Sequence, residues 1–328
     1  MVEILAESKT FAPARRDQRE RVYKLFKSSD RFYRTLTFAS TVAILVMLGS
    51  VLVSLVIGSI PTFRTFGLDF LITETWNPVT DKYGALAPIY GTLLTSFFAM
   101  LLALPVGIGI AVFLSELCPQ PLRRPVGIAI ELLAGIPSII YGLWGLFILA
   151  PFLQQHVQPA LIATFAPVPI LSTLFAGPPY GIGLLTAALI LAIMILPFIT
   201  SISRDVFETV PAVLKEAAYG IGCTHWEVIT KVIIPYTRTG IAGGAMLALG
   251  RALGETMAVT FVIGNAHRIS GSLLAPATTI SASIANEFTE AVGDLYTSAL
   301  ISLGLILFVI TFFVLALARL LLMRAEGK

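Results

Sequence analysis

Of 328 residues, 56% are hydrophobic and only 12% charged, with a mean hydropathy of +0.88, against roughly 25% charged in an ordinary soluble domain. This excludes a single soluble core, whose interior cannot hide so much apolar surface. The net charge of +3 bears on little beyond orientation in a membrane, and no nucleic-acid partner is expected.

The N-terminal 34 residues carry nine basic and five acidic side chains and read as a solvated cytoplasmic tail, residues 1–34. Basic groups beside the first span can also touch anionic headgroups, which makes membrane lipid a partner. The apolar run 36–60 is longer than the 7–15-residue core of a cleaved signal peptide, so it is expected to stay as an anchor. A spanning helix needs about 20 apolar residues, and further stretches of that length lie at 90–114, 126–153, 181–203 and 295–318. Another, 240–263, is apolar except for Arg251 and Glu255. Pro105, Pro137 and Pro197 are expected to kink their helices, with small residues letting backbones approach.

The segment 157–180 is also uncharged, but it holds Pro159, Pro167, Pro169, Pro178 and Pro179. Each proline removes a backbone donor, and unsatisfied backbone is costly in lipid, so it is predicted to be an outer loop with a short helix. Charge asymmetry agrees with that count, because Lys and Arg concentrate in short cytoplasmic loops. Lys24, Lys27, Arg31 and Arg34 precede the first span. Arg123 and Arg124 follow the second; Arg204, Lys215, Lys231 and Arg238 follow the fourth; Arg319, Arg324 and Lys328 close the chain. The intervening loops hold only Arg64, Lys82 and Arg268. The expectation is an all-α integral membrane protein with six transmembrane helices in a domain spanning 35–325 and both termini in the cytoplasm.

Cys118 and Cys223 then fall on the reducing side. His156, His225 and His267 show no ligand spacing with Cys or carboxylates, so no metal is expected. There is no Gly-x4-Gly-Lys-Ser/Thr phosphate loop and no His/Asp/Glu or Ser/His arrangement within the spans. No residue is assigned as catalytic, and the chain is not expected to hydrolyse ATP itself.

In the polar loop 204–238, Phe207, Val210, Leu214, Ala217 and Ile221 recur at helical spacing. Gly222 suits a left-handed helix end, Thr224 and Glu227 stand three apart as in a capping box, and Pro235 is expected to stop the second helix. The loop reads helix, Gly turn, helix. Glu216-Ala217-Ala218, Gly222 and Val232-x-Ile234-Pro235 resemble the EAA loop of ABC importer permeases. The resemblance implies that Glu216, Ala217, Ala218, Gly222, Ile234 and Pro235 form a coupling site for an ATP-hydrolysing subunit, as in the type I importer permease fold. Ala217 and Ala218 allow close approach there, and Glu216 offers a charge to a basic partner group.

Arg251 and Glu255 lie four apart, on one face of the same helix, where they can pair with each other. Charges near the bilayer centre cost about 2.5–3.5 kcal/mol on insertion scales and usually face a pathway. The alternative is a self-neutralising pair holding helices together. A guanidinium fork suits tetrahedral oxyanions, and a carboxylate, which only accepts, favours a protonated phosphate over fully ionised sulfate.

Trp76-Asn77-Pro78, the run from Tyr83 to Leu93, Gly135-Ile136-Pro137-Ser138-Ile139-Ile140-Tyr141-Gly142 and the run from Gly250 to Val259 look like the phosphate-specific importer permeases. That resemblance covers about 30–325 and leaves the insert at 154–180 without a role. It implies a second, PstA-like permease, two ATP-binding subunits that bind ATP and Mg, and an extracytoplasmic phosphate-binding protein, in a bacterial inner membrane. Arg251, Glu255, Ser138 and Tyr141 would line the substrate pathway. Rival readings are a permease for sulfate, molybdate or phosphonate, a membrane sensor, and an intramembrane enzyme.

Overall fold

The computed structural model describes residues 12–326, with side chains described for 32–320, 322 and 323. The side chains of Lys24, Lys27, Arg31, Arg324 and Lys328, and residues 1–11 of the expected tail, lie outside the described residues. Apart from two isolated bridges, Asn77 with Lys82 and Gly264 with Ala277, the regular structure among the described residues is helical. Two compact units divide the chain, Met1–Ile57 and Gly58–Lys328. In the first, the described side chains are mostly apolar and exposed, as in Leu45, Met47 and Val53.

Six helices are long and apolar enough to cross a membrane: Phe32–Phe66, Leu86–Leu117, Ser138–Phe165, Leu184–Glu208, His225–Gly254 and Asp294–Leu320. Six is the predicted number, but two spans are displaced. The third does not occupy 126–153. Gln120–Ala134 is a separate amphipathic helix, closed where Gly135 and Ile136 donate to Leu132 O and Leu133 O. Pro137, extended at φ −56°, ψ 135°, then starts the span at Ser138. This span runs on into the segment predicted to be an outer loop, of which 166–180 remain outside it, with one short helix at Pro169–Leu174.

Prolines failed to end these helices for a common reason. Cys118, Ala150, Gln158 and Ile234 each donate their N–H to a carbonyl five residues back, on Phe113, Gly145, Leu153 and Ile229. Each is followed directly by a proline: Pro119, Pro151, Pro159 and Pro235. In an α-helix the pyrrolidine ring collides with the carbonyl four residues earlier. A single widened π turn relieves that crowding, and at Pro151, Pro159 and Pro235 the helix continues through it. Pro235 therefore lies inside the fifth span instead of stopping a helix.

Within Gly58–Lys328 the fourth span is the central helix, with 61% of its most apolar window buried. Its Leu184, Ile190, Leu191, Met194, Ile195 and Ile199 form one cluster with Ala99 and Ala103 of the second span and Ala248 and Ala252 of the fifth. Small residues allow this proximity. A Cβ added at Gly142 would stand 3.1 Å from Ala258 Cα, and one at Gly107 would stand 2.8 Å from Ile199 Cγ2. A second cluster joins Phe70 and Tyr83 to Tyr296, Leu300 and Leu303. The third seats Ala218 among Phe207, Val228, Ile229 and Ile233.

Candidate functional site

The segment between the fourth and fifth spans divides differently from the predicted stripe. Phe207 and Val210 are buried at the end of the fourth span. Pro211 follows, and a nine-residue helix begins at Ala212 and ends at Gly220. Leu214, Ala217 and Ile221 belong to this second piece and are exposed; a proline at the junction cannot donate to continue the first. Ala218 alone on the short helix is buried, so it seats the helix, while Glu216 and Ala217 face outwards beside Val213, Leu214 and Ile221, which are 71%, 41% and 84% exposed. An apolar surface of this kind, rimmed by a carboxylate, fits a protein contact.

Gly222 has φ +90°, and no atom would lie within 4 Å of an added Cβ. The glycine answers to backbone conformation, not to lack of space. After it, Thr224 and Glu227 form the reciprocal cap that their spacing predicts: Glu227 N–H donates to Thr224 Oγ1 (3.3 Å) and Thr224 N–H to Glu227 Oε2 (3.0 Å). Tyr219 and His225 bridge the turn, Oη to Nδ1, at 2.6 Å. Burial and the nearby Glu116 carboxylate push the Tyr219 phenol up. Ile234 and Pro235 lie at the start of the α-helical part of the fifth span, just past the widened turn.

Sequence reasoning missed Glu116. Lys215 Nζ reaches its Oε1 at 2.6 Å, with the side chains 22% and 10% exposed. This pair ties the short helix to the end of the second span. The partners are 99 residues apart, so no local spacing announces them.

Arg251 and Glu255 do not share one helix. The fifth span ends at Gly254, Glu255 is extended (φ −68°, ψ 131°), and a new helix runs Met257–Val262. Glu255 Oε1 accepts from Ala258 N–H at 3.4 Å, capping that helix, and no Arg251–Glu255 ion pair occurs. The self-neutralising pair is thus replaced by two separately held groups. The Arg251 guanidinium lies 4.7 Å from the centroid of Phe198, an attractive placement over a ring face, and its buried Nε–H has no acceptor. Tyr141, buried, lies within electrostatic range of Arg251 and donates to Leu133 O at 2.8 Å. Ser138 opens the same helix as Tyr141, which packs against Met257–Val262 through Gly142. A guanidinium inside a membrane span with no ion-pair partner among the described residues is equipped to receive an anion.

Comparison with known proteins bears on the family and the fold. Residues 103–326 match the family described as binding-protein-dependent transport system inner membrane component. A phosphate transport system permease protein of Mesorhizobium japonicum is 68% identical over 96% of this chain and 97% of its own length. One from Pasteurella multocida is 57% identical over 98% of each. Among solved structures, a bacterial ABC transporter involved in the import of the acidic polysaccharide alginate superposes with a TM-score of 0.61 at 18% identity, covering 92% of this chain and 99% of that one, which shows a shared fold.

Proposed function

Because the chain belongs to the family of binding-protein-dependent transport system inner membrane components, we infer that it is the phosphate-translocating permease subunit of an ABC importer in an inner membrane. It works in a complex with an ATPase and a binding protein. The finer assembly is one further, PstA-like permease, two ATP-binding chains that hold ATP and Mg, and a phosphate-binding protein on the outer side. Residues 1–34 are the cytoplasmic tail and 35–325 the permease domain, with both termini inside.

The reading of the pathway rests on one observation: Arg251 sits in a membrane span with a buried Nε–H that has no acceptor and no carboxylate partner among the described residues. Phosphate released from the binding protein passes Arg251, which neutralises its charge, and Glu255, which accepts a hydrogen bond from the protonated anion. Ser138 and Tyr141 line the same route. Glu216, Ala217, Ala218, Gly222, Ile234 and Pro235 receive the motion of the ATPase, and the spans alternate between outward and inward access. No bond is made or broken in this chain. The test is labelled phosphate uptake by the reconstituted importer carrying Arg251→Lys or Glu255→Gln, with sulfate as competitor. Arg251→Lys is expected to cut uptake at least about ten-fold, the equivalent of one charge-assisted hydrogen bond, and Glu255→Gln to narrow the preference for phosphate over sulfate. Unchanged uptake and preference in both variants would remove the pair from the pathway.

A further inference from the structure

The insert that the sequence leaves without a role builds one wall of a cavity. Residues 173–180 and 268–276 enclose about 420 Å³ just ahead of the fourth span. The frame is fixed by backbone-directed bonds: Ser272 Oγ donates to Ala176 O (2.6 Å), Leu273 N–H to Leu174 O (2.8 Å) and Tyr90 Oη to Ser270 O (2.9 Å). The fourth span, 25 residues and so about 37 Å long, begins at Leu184 beside this cavity and ends at Glu208 near the short helix Ala212–Gly220. The cavity is therefore at the opposite membrane face from the coupling helix.

Several of its free side-chain and amide groups are donors, beside backbone carbonyls such as those of Gly177 and Gly271. Arg268, exposed to the cavity, has no ion-pair partner among the described residues, and the cavity lining holds no carboxylate. Ser270 Oγ accepts from Ser272 N–H, which leaves its own hydroxyl proton to give. Among the described residues Tyr180 Oη has no bond, and the N–H groups of Ser270 and Gly271 meet no acceptor. The two carboxylates bonded to neighbouring residues are engaged elsewhere, Glu74 by Ile269 N–H and Glu287 by Trp76, His267 and Tyr296. A fixed recess with one cation, free hydroxyls and free amides, and no acid in its lining, selects an oxyanion.

We propose that this cavity is a receiving subsite for inorganic phosphate at the outer mouth, with Arg268 as its anchoring charge and Ser270, Tyr180 and the 270–271 amides as further donors. The proposal rests on the phosphate-permease reading and adds a station before Arg251. It also gives the insert a purpose, since residues 173–180 form the wall that faces Arg268.

The test uses the complete importer in nanodiscs, wild type and with Arg268→Gln or Arg268→Lys. Binding of labelled inorganic phosphate is measured without the binding protein, and phosphate moved per ATP is measured with it. Wild type is expected to bind phosphate in competition with unlabelled phosphate. Arg268→Gln is expected to weaken that binding roughly ten-fold and lower phosphate moved per ATP, with Arg268→Lys intermediate. The concentration of binding protein that half-stimulates ATP hydrolysis is expected to stay the same. Equal phosphate binding in wild type and Arg268→Gln overturns the subsite. So does a rise in that half-stimulating concentration with phosphate binding unaltered, which would make Arg268 a contact for the binding protein. A wild-type importer that moves another oxyanion and not phosphate overturns the functional reading itself, an outcome separable from both.

Discussion

Glu287 holds three chain segments together through one carboxylate. Trp76 Nε1–H (2.6 Å) and Tyr296 Oη–H (2.7 Å) donate to Oε2, and His267 Nε2 lies 2.8 Å from Oε1. The Trp76 ring stacks on the imidazole at 5.0 Å with 7° between planes. Burial by itself pushes a carboxyl up, but the bonds from His267, Tyr296 and Trp76 outweigh it, and Glu287 is held below the usual carboxylate range. Next to it, burial and the Asp81 hydrogen bond push the Tyr83 phenol up to about 12. A carboxyl whose folded pKa is depressed stabilises the fold above its unfolded pKa, about 4.3, and loses that contribution as pH falls through the folded value. Glu287→Gln is expected to lower unfolding free energy by about 2 kcal/mol at pH 7. The deficit should shrink below about pH 4, where the wild type loses its own carboxylate. Thermal or denaturant unfolding of the purified chain at both pH values checks this; a variant as stable as wild type at pH 7 contradicts it. Residues 76, 267, 287 and 296 share no local spacing, which is why His267 reads as isolated in the sequence.

At the level of elements, the short helix Ala212–Gly220 is attached to the membrane helices by two different kinds of contact. Ala218 packs into the cluster around Val228 and Ile233, and Lys215 is tethered to Glu116 in the widened turn that closes the second span. Lys215→Met or Glu116→Gln is expected to leave ATP hydrolysis within about two-fold of wild type while phosphate moved per ATP drops at least about three-fold. Those changes correspond to losing a partly buried pair worth about 1 kcal/mol. The exchange Lys215→Glu with Glu116→Lys should restore part of the coupling. Full coupling in both single variants would mean that the pair only positions the loop. Local rules succeeded on this element where the chemistry is local: Gly222 at φ +90° and the Thr224–Glu227 cap follow from residue type and spacing. They failed at Pro159 and Pro235, because relief comes from a carbonyl five residues back, and nothing in a proline's neighbours marks that choice.

For the whole molecule, the single span His225–Gly254 lies between the loop carrying Glu216 and the loop carrying Ser270, which puts the two loops on opposite faces. Single cysteines introduced by Glu216→Cys and Ser270→Cys, with Cys118 and Cys223 replaced by serine, test this with a membrane-impermeant maleimide on intact and inverted vesicles. Ser270→Cys is expected to label only from outside and Glu216→Cys only from the cytoplasmic side. Labelling of both from one side would require an even number of spans between them, instead of the single span His225–Gly254, and overturn the topology.

Composition, charge distribution and the Glu216–Pro235 pattern by themselves determined residence in a membrane, six spans and membership of the ABC importer permeases, because transfer of apolar helices into lipid depends on residue content over about 20 positions. Only the tertiary structure decided where helices break and which charges meet. The break at Gly254 separates Arg251 from Glu255, Pro137 moves the third span to 138–165, and Lys215 finds Glu116 across 99 residues. Those outcomes follow from packing against distant segments and from hydrogen-bond registers that widen around prolines, and neither is written in neighbouring residues.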